Sequence, residues 1–373
     1  MYYHLILSEK CNLECRYCYK KSLEEFDNGL DKKFKFDFSD PMDSEVKISE
    51  LKKFLEKDND AVLVFYGGEP LLQISKIKKI IDEISVPFRM QTNGILLDKL
   101  ESKYLNKIGK ILVSLDGDST RTNKNRGSGK YEKILENIKL IRKNGYKGEI
   151  VARMTIAQDC SDLFPQVMHL VSLIDEKLID SVHWQIDCGF YKFDFEEDKI
   201  KKFFEEYNKS VEKLINWWGE NIRKGKVYRL YPFVGIVKPI LEGKTNCGLR
   251  CGAGHSGYAI TTSGKLVHCP IMNSIENFKA GNLKTKPCEL KKFDCKTECK
   301  DCEFYGLCGG RCMYWRCAKL WPKVGDEMIC NSIKNYINLI KEKIPEIKEL
   351  IEKKIIKKEY FDYEDYFGPE IIP

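Results

Sequence analysis

Residues 2–18 read YYHLILSEKCNLECRYC, and the fold is decided by how this stretch is read. YYHLILS is an apolar run of strand length, closed at once by the charged pair Glu9 and Lys10. Cys11, Cys15 and Cys18 follow with three and then two residues between them, and the aromatic Tyr17 stands just before the last thiol. Three thiolates so close together can wrap one metal centre. Zinc would ordinarily want a fourth protein ligand, and none lies nearby in sequence. A [4Fe–4S] cluster held by three cysteines instead leaves one iron open to a small molecule.

Further strand-length runs recur at 61–66, 87–91, 111–116, 149–156 and 181–186, each apolar or alternating. Between them, 47–57, 73–84, 97–108, 130–144 and 162–177 carry apolar residues at helical spacing. Strand and helix in alternation argue for parallel strands with crossover helices, an α/β class. Six such units are too few for a complete eight-stranded barrel, so the expectation is a partial barrel with its site at the strand carboxyl ends. Residues 22–44 have no clear period and read as an excursion after the first strand, while 195–224 predict a long amphipathic helix carrying Trp217 and Trp218. After GKT at 243–245 comes a Cys- and Gly-rich stretch with little regular pattern; helical spacing returns at 333–358, followed by the tail YFDYEDYFGPEIIP. The expected organisation is therefore a barrel over 1–200, a linking helical segment over 201–243, a cysteine-rich domain over 244–332 and a terminal helix and tail over 333–373.

The composition agrees with a folded chain and bounds its class. Of 373 residues 43% are hydrophobic and 12% aromatic, enough for an ordinary core. Sixty-three Lys and Arg against 56 Asp and Glu leave +7, a mixed field that does not indicate a duplex-binding protein, so no nucleic-acid partner is expected. No apolar run approaches the ~20 residues of a membrane span, and the chain reads as cytoplasmic, without a targeting segment. Sixteen cysteines in such a chain point to metal ligation rather than to a disulfide framework. Cys160 and Cys188 stand apart and read as structural; eleven others fall between Cys247 and Cys330. Enrichment in Lys, Glu and Ile with few Gln suits a thermophile.

With its three cysteines placed just after the first strand, the sequence resembles the radical S-adenosylmethionine superfamily. The resemblance implies a partial (β/α)6 barrel in which the methionyl amine and carboxylate of S-adenosylmethionine chelate the open iron. It further implies that an electron from the cluster breaks the carbon–sulfur bond, and that the resulting 5′-deoxyadenosyl radical abstracts a substrate hydrogen. Gly67, Gly68, Glu69 and Pro70, after the run VLVFY, resemble the segment that holds the methionyl amino group. Thr92, Asn93 and Gly94, and then Ser114, Leu115, Asp116 and Gly117, resemble strand ends facing the cofactor, with Ser114 serving the ribose hydroxyls. Arg153 resembles the basic residue that meets the cofactor carboxylate, and Tyr17 belongs to the same set of expected contacts.

Cys299, Cys302, Cys308 and Cys312, with Cys330 beyond them and Cys251, Gly264 and Cys269 upstream, resemble the SPASM extension of radical enzymes that modify peptides and proteins. Carried across position by position, Cys247, Cys251, Cys269 and Cys312 would hold a first auxiliary cluster, and Cys299, Cys302, Cys308 and Cys330 a second. The resemblance thus implies three [4Fe–4S] clusters, S-adenosylmethionine, and an external electron donor such as ferredoxin or flavodoxin. A pair of zinc sites is the bland alternative. Four ligands apiece leave neither auxiliary cluster an evident vacant iron, so electron transfer is the expected role. Cys288, Cys295 and Cys317 are left over.

Overall the chain resembles the archaeal peptide-modifying subgroup of radical SAM/SPASM enzymes, which implies oxidative modification of a peptide or protein: a crosslink, a thioether or a similar maturation. The sulfatase-maturing type resembles it in cysteine spacing but would carry an acidic proton acceptor directly after the third ligand of the first auxiliary cluster, where Pro270 stands here. Because the chain begins directly at the first strand, recognition of a precursor peptide is expected to fall to a separate leader-binding protein, to the 22–44 excursion or to the tail. A redox-neutral radical enzyme acting on a small metabolite, and a non-catalytic metal-stabilised binding protein, are the competing readings.

Overall fold

The computed structural model describes residues 1–18, 28–187, 189, 191–244, 248–293 and 298–367. Six strands, β1 (Tyr2–Ile6), β2 (Val62–Tyr66), β3 (Phe88–Thr92), β4 (Ile108–Ser114), β5 (Glu149–Ile156) and β6 (Ser181–Ile186), lie side by side in chain order. Every neighbouring pair among them is parallel. The crossovers carry α1 (Ile48–Leu55), α2 (Ile74–Glu83), α3 (Ser102–Leu105), α4 (Ser119–Arg126), α5 (Lys130–Lys143) and α6 (Leu163–Asp175). The segment 97–108, expected to be one helix, is a short 3₁₀ turn followed by the four-residue α3, and it gives way to β4 already at Ile108. With helices on one face and an interior on the other, this is the α/β partial barrel.

The sheet does not stop at the boundary expected near residue 243. β1 pairs on its other side, again in parallel, with β7 (Gly257–Ile260), and β8 (Lys265–Val267) and β9 (Lys279–Asn282) continue it antiparallel. The cysteine-rich stretch therefore contains three strands, grown onto the barrel's first strand. The excursion adds a second attachment. Phe36 bridges to Ile275, Phe34 meets Phe278 with ring centroids 5.5 Å apart, and Asp37 accepts from Lys265 at 2.9 Å and Lys279 at 3.1 Å. Its far end returns to the barrel, where the Ser8 hydroxyl donates to Asp43 at 2.7 Å.

α7 (Glu197–Arg223) buries Ile200, Phe203, Phe204, Tyr207, Val211, Leu214, Ile215 and Trp218, the three- and four-residue spacing of a single apolar stripe. α8 (Tyr231–Glu242) follows and packs Phe233 edge-on against Trp184 of β6, 5.3 Å between centroids. Two short helices, α9 (Tyr305–Cys308) and α10 (Met313–Ala318), precede the last one, α11 (Lys323–Glu352), which begins ten residues before the expected start at 333. α11 lies along α7, tied by Ser332 to Asn208 at 2.6 Å and by Arg223 to Glu346 at 2.5 Å.

The tail caps the end of the barrel opposite the cysteines. Lys110, only 2% exposed at the start of β4, donates to the Phe367 carbonyl at 3.0 Å and lies 3.5 Å from Glu149 and 3.6 Å from Glu364. Glu364 also takes both Tyr2, at 2.8 Å, and Arg89, at 2.9 Å. These partners all come from strand amino ends, so the tail closes that mouth and leaves the carboxyl ends as the open side. No helix among the described residues is long and apolar enough to cross a membrane.

Candidate active site

At the carboxyl ends of the strands lies a cavity of about 310 Å³, within the usual range for a small-molecule site. Cys11, Cys15, Cys18 and Tyr17 line one part of it; Cys251, Cys269, Cys308 and Cys312 line another. Ser114, Arg153, Thr155 and Gln185 contribute polar groups from the ends of β4, β5 and β6. No described cysteine is in a disulfide.

The loop of the first three cysteines is held by packing that demands glycine. Gly68 donates to the Ser8 carbonyl at 2.8 Å and Glu69 to the Lys10 carbonyl at 2.9 Å, which draws the end of β2 against the segment leading into Cys11. A Cβ on Gly67 would stand 2.3 Å from Ser8 O, and one on Gly68 2.3 Å from Lys10 O. Both positions are closed to any side chain. The two glycines themselves line the cavity.

Glu69, expected to meet an ammonium group, gathers donors from the protein itself. It is fully buried, and its carboxylate accepts from Leu71 N–H at 3.0 Å, Thr92 Oγ1 at 2.7 Å and Asn93 N–H at 2.8 Å. It thereby fixes the end of β3, from which the Asn93 amide reaches Asn12 Oδ1 at 2.7 Å and Cys11 Sγ at 3.8 Å. Burial pushes the Glu69 carboxyl up to about 7 against the pull of these three donors. A folded-state pKa raised above 4.5 contributes stability that is complete below about 4.5 and is lost as the pH rises through about 7. At 1.36 kcal/mol per unit that is a loss of about 3 kcal/mol between about pH 4 and pH 8. Glu69→Gln cannot titrate there, so anaerobic unfolding curves are expected to show the wild type losing about that much more stability than the variant over this window. Parallel pH dependences of the two proteins would refute the assignment.

Asp116 is likewise 0% exposed and spends its carboxylate on the protein. It accepts from Arg126 Nε at 2.9 Å and Nη2 at 3.0 Å, from Thr155 N–H at 3.0 Å, and from the Tyr17 hydroxyl. Arg126 in turn lies 5.4 Å over the Tyr17 ring and extends Nη1 to 3.8 Å from Cys15 Sγ. Burial opposes the Arg126 charge, but Asp116 beside it, with Tyr17 and Cys15, moves its pKa upward on balance. Asp116 is thus a positioning residue for Tyr17 and for the donor at Cys15. Pro70 starts a 3₁₀ turn and is buried. Arg153 is directed by Gln185 and by His183 Nδ1, 3.3 Å away.

Sequence reasoning passed over several cavity residues: Arg126, Gln185, Asp187, Arg250, His268 and Arg311. Asp187, just past β6, is the one carboxylate among the described residues lining the cavity. Burial, followed by the nearby Asp194, pushes it up to about 8, with Arg16 pulling the other way. Its sequence surroundings carry no motif that would have flagged it.

The cysteines fall into neighbourhoods that cut across sequence order. Burial raises the Cys15 thiol, opposed by Arg126 and reinforced by Cys11 and Cys18 among others. Cys269 is pushed well up by burial, then by Cys312 and Cys251. Cys330 is raised by burial, with Cys299 adding to it and Arg311 opposing; Cys308 is raised by burial and feels Cys330 and Cys299. Cys312 thus neighbours Cys251 and Cys269 although it follows Cys308 by four positions. Cys247, Cys188 and Cys295 lie outside the described residues. Among the described residues no three His, Cys, Asp or Glu side chains converge as a single-ion site, so the fit to iron–sulfur groups is judged on donor chemistry. Neighbouring thiols that raise one another's pKa are a donor set whose thiolate form wants a cationic centre, and Asn93 and Arg126 supply donors to the sulfurs. The set fits such a group.

This fold is the radical SAM partial barrel. Residues 5–158 match the family described as Radical SAM superfamily, which includes the first three cysteines and the ends of β1 to β5. A cysteine-type anaerobic sulfatase-maturating enzyme of Clostridium perfringens is 25% identical over 362 residues, covering 88% of this chain and 93% of that protein. The radical SAM cyclopropyl synthase TigE of Paramaledivibacter caminithermalis is 23% identical over 334 residues, covering 83% of this chain and 67% of its own length. Among solved structures, native anSMEcpe with bound AdoMet superposes with a TM-score of 0.70 at 19% identity, covering 95% of this chain and 100% of its own. Streptococcus suis SuiB bound to its precursor peptide SuiA gives 0.54 at 17% identity, with 83% and 71% covered.

Proposed function

We propose that this chain is a radical S-adenosylmethionine enzyme that oxidatively modifies a peptide or protein, and that it draws its reducing electron from a donor of the ferredoxin or flavodoxin type. The observation that carries the reading is the single cavity with Cys11, Cys15 and Cys18 on one part of its wall and Cys251, Cys269, Cys308 and Cys312 on another. When bound, S-adenosylmethionine at a three-cysteine [4Fe–4S] cluster supplies a carbon radical that removes a hydrogen atom from the substrate.

The residues divide the remaining work. Asn93 and Arg126 donate toward Cys11 and Cys15, which orients the sulfurs and offsets their charge. Arg153, directed by Gln185 and His183, presents a guanidinium for a carboxylate, and Ser114 a hydroxyl for a ribose. Asp187, in its ionised form, is the carboxylate placed to take a proton, so turnover is expected to rise as the pH approaches about 8. For a substrate C–H beside an N–H, O–H or S–H, Asp187 would take the neighbouring proton, and clusters held by the auxiliary cysteines would accept the electron that remains once the hydrogen atom has been removed. A double bond or crosslink is left where two hydrogens were.

A second reading, oxidation of a cysteine in a sulfatase, is favoured by the similarity to the Clostridium perfringens enzyme along nearly its whole length. Pro270 occupies the place where that type would carry its acid, and Asp187 in the same cavity offers the carboxyl that Pro270 cannot.

Anaerobic reaction with candidate peptides, including cysteine-containing sulfatase peptides, is expected to give a product lighter by about two hydrogens, with about one cofactor consumed per modification. Asp187→Asn is expected to lower product formation by about a hundredfold or more while 5′-deoxyadenosine still accumulates. Catalytic recycling of the cofactor on a non-peptide metabolite would overturn the proposal.

A further inference from the structure

Between Cys308 and Cys312 the chain reads Gly309-Gly310-Arg311, and all three residues are left-handed, with φ of +70°, +86° and +69°. Arg311 is therefore held in a conformation that L side chains rarely adopt. A Cβ on Gly309 would stand 2.4 Å from the Gly248 carbonyl, so the turn is pressed against the backbone leading to Cys251. This turn brings the Arg311 side chain into the cavity wall between the two auxiliary neighbourhoods, beside Cys308 and Cys312.

Arg311 is only 9% exposed, and its guanidinium stacks on Trp315, 3.4 Å from the ring centroid. Among the described residues its Nε and Nη1 have no acceptor, and neither has the Trp315 indole N–H. Asp326 acts on it electrostatically, yet Asp326 Oδ1 also lacks a donor, so the two do not satisfy each other. Burial disfavours the charge, and the groups that oppose that penalty are Cys330, Asp326, Cys308 and Cys299. Buried, unpaired N–H donors are rare and costly unless an acceptor arrives. Cys330, Cys308 and Cys299 are near enough to act on the Arg311 charge, and an anion held there would supply the missing acceptor.

We propose that Arg311 is the positioning charge that raises the reduction potential of the cluster held by Cys299, Cys302, Cys308 and Cys330, making it the preferred resting place of the electron removed from the substrate. This rests on the reading that these cysteines bind iron. Reduction adds one electron and makes the cluster more negative by one charge, so a fixed cation and donors to its sulfurs favour the reduced form.

The test uses full-length protein with Cys11, Cys15 and Cys18 replaced by alanine, which removes the first cluster's signal, in an EPR-monitored redox titration. Arg311→Gln is expected to disfavour reduction of one auxiliary cluster by about tenfold, equivalent to about 59 mV for one electron, and to leave the other nearly unmoved. Arg311→Lys, which keeps the charge, is expected to recover at least half of the effect. Full iron content with unchanged potentials in the Gln variant, or equal shifts in the Gln and Lys variants, would overturn the proposal. If the Gln variant fails to hold iron, the Lys variant decides alone, and a full tenfold shift in it refutes a role for the charge. Absence of auxiliary iron in the Arg311 parent would instead bring down the cluster reading itself.

Discussion

Replacing Cys11, Cys15 and Cys18 together by alanine is expected to abolish formation of 5′-deoxyadenosine from S-adenosylmethionine, a fall of at least about a thousandfold, while leaving the auxiliary iron in place. The argument is one of ligand supply. A three-cysteine cluster leaves an iron open to chelate the methionyl group, whereas the auxiliary sets, with four expected ligands each, leave none. Iron should therefore fall from about twelve to about eight atoms per chain, as one four-iron cluster of three is lost. Cys11 and Cys15 are also where Asn93 and Arg126 direct their donors. A triple variant that still yields the nucleoside after chemical reduction would show that the radical arises elsewhere. Stoichiometric zinc without charge-transfer absorption in the unmodified protein would remove the premise and leave a metal-stabilised binding protein.

The barrel was legible because each of its strands is a run of five or more apolar or alternating residues set between helical periods. Where that condition fails, so does the reading. β7 and β8 are four and three residues long and sit among Gly and Cys, too short for a period of two to stand out. Their strand character comes from β1, which offers an edge for β7 to join. α8 falls inside the linking segment expected to be helical, but its own bounds were not legible for the opposite reason: YPFVGIVKPILE is apolar nearly all round and carries two prolines, so it has no polar face to mark a period. The early start of α11 was masked by Gly325 and Cys330, which look like parts of the cysteine-rich stretch although both lie within the helix.

At the site, residue type was legible and direction was not. A carboxylate at a strand end can face a ligand or turn inward to hold its neighbours, and the sequence is the same in both cases. Glu69 and Asp116 both turn inward, each gathering three or more donors from adjoining elements. The residue that does line the cavity with a carboxyl, Asp187, is a lone acid after an ordinary strand. Arg311 was equally silent: its meaning depends on donors left without acceptors, which only side-chain placement reveals.

Asp116→Asn is expected to destabilise the protein by about 3–5 kcal/mol, the usual cost of removing one partner from a buried ion pair. Arg126 is 6% exposed and Asp116 not at all, so water cannot replace the lost charge. Asparagine keeps one acceptor oxygen, but its amide nitrogen must sit where a second donor-facing oxygen was, against Arg126 Nε, Arg126 Nη2, the Tyr17 hydroxyl or the Thr155 N–H. The guanidinium is then both uncompensated and short of acceptors. Arg126→Met alone should also be costly, since it leaves the Asp116 carboxylate buried with fewer donors. The double variant Asp116→Asn with Arg126→Met should recover part of the loss, because no unpaired charge remains. Denaturant unfolding of the four proteins under anaerobic conditions gives the coupling between the two positions directly. The same loss should reach the first cluster, because Asp116 aims the donor toward Cys15 and holds the Tyr17 hydroxyl; iron content of Asp116→Asn should fall toward eight atoms per chain sooner than that of the wild type on exposure to a chelator. Additive single losses with no coupling, together with unaltered iron retention, would show that Asp116 and Arg126 act independently and that neither supports the cysteine loop.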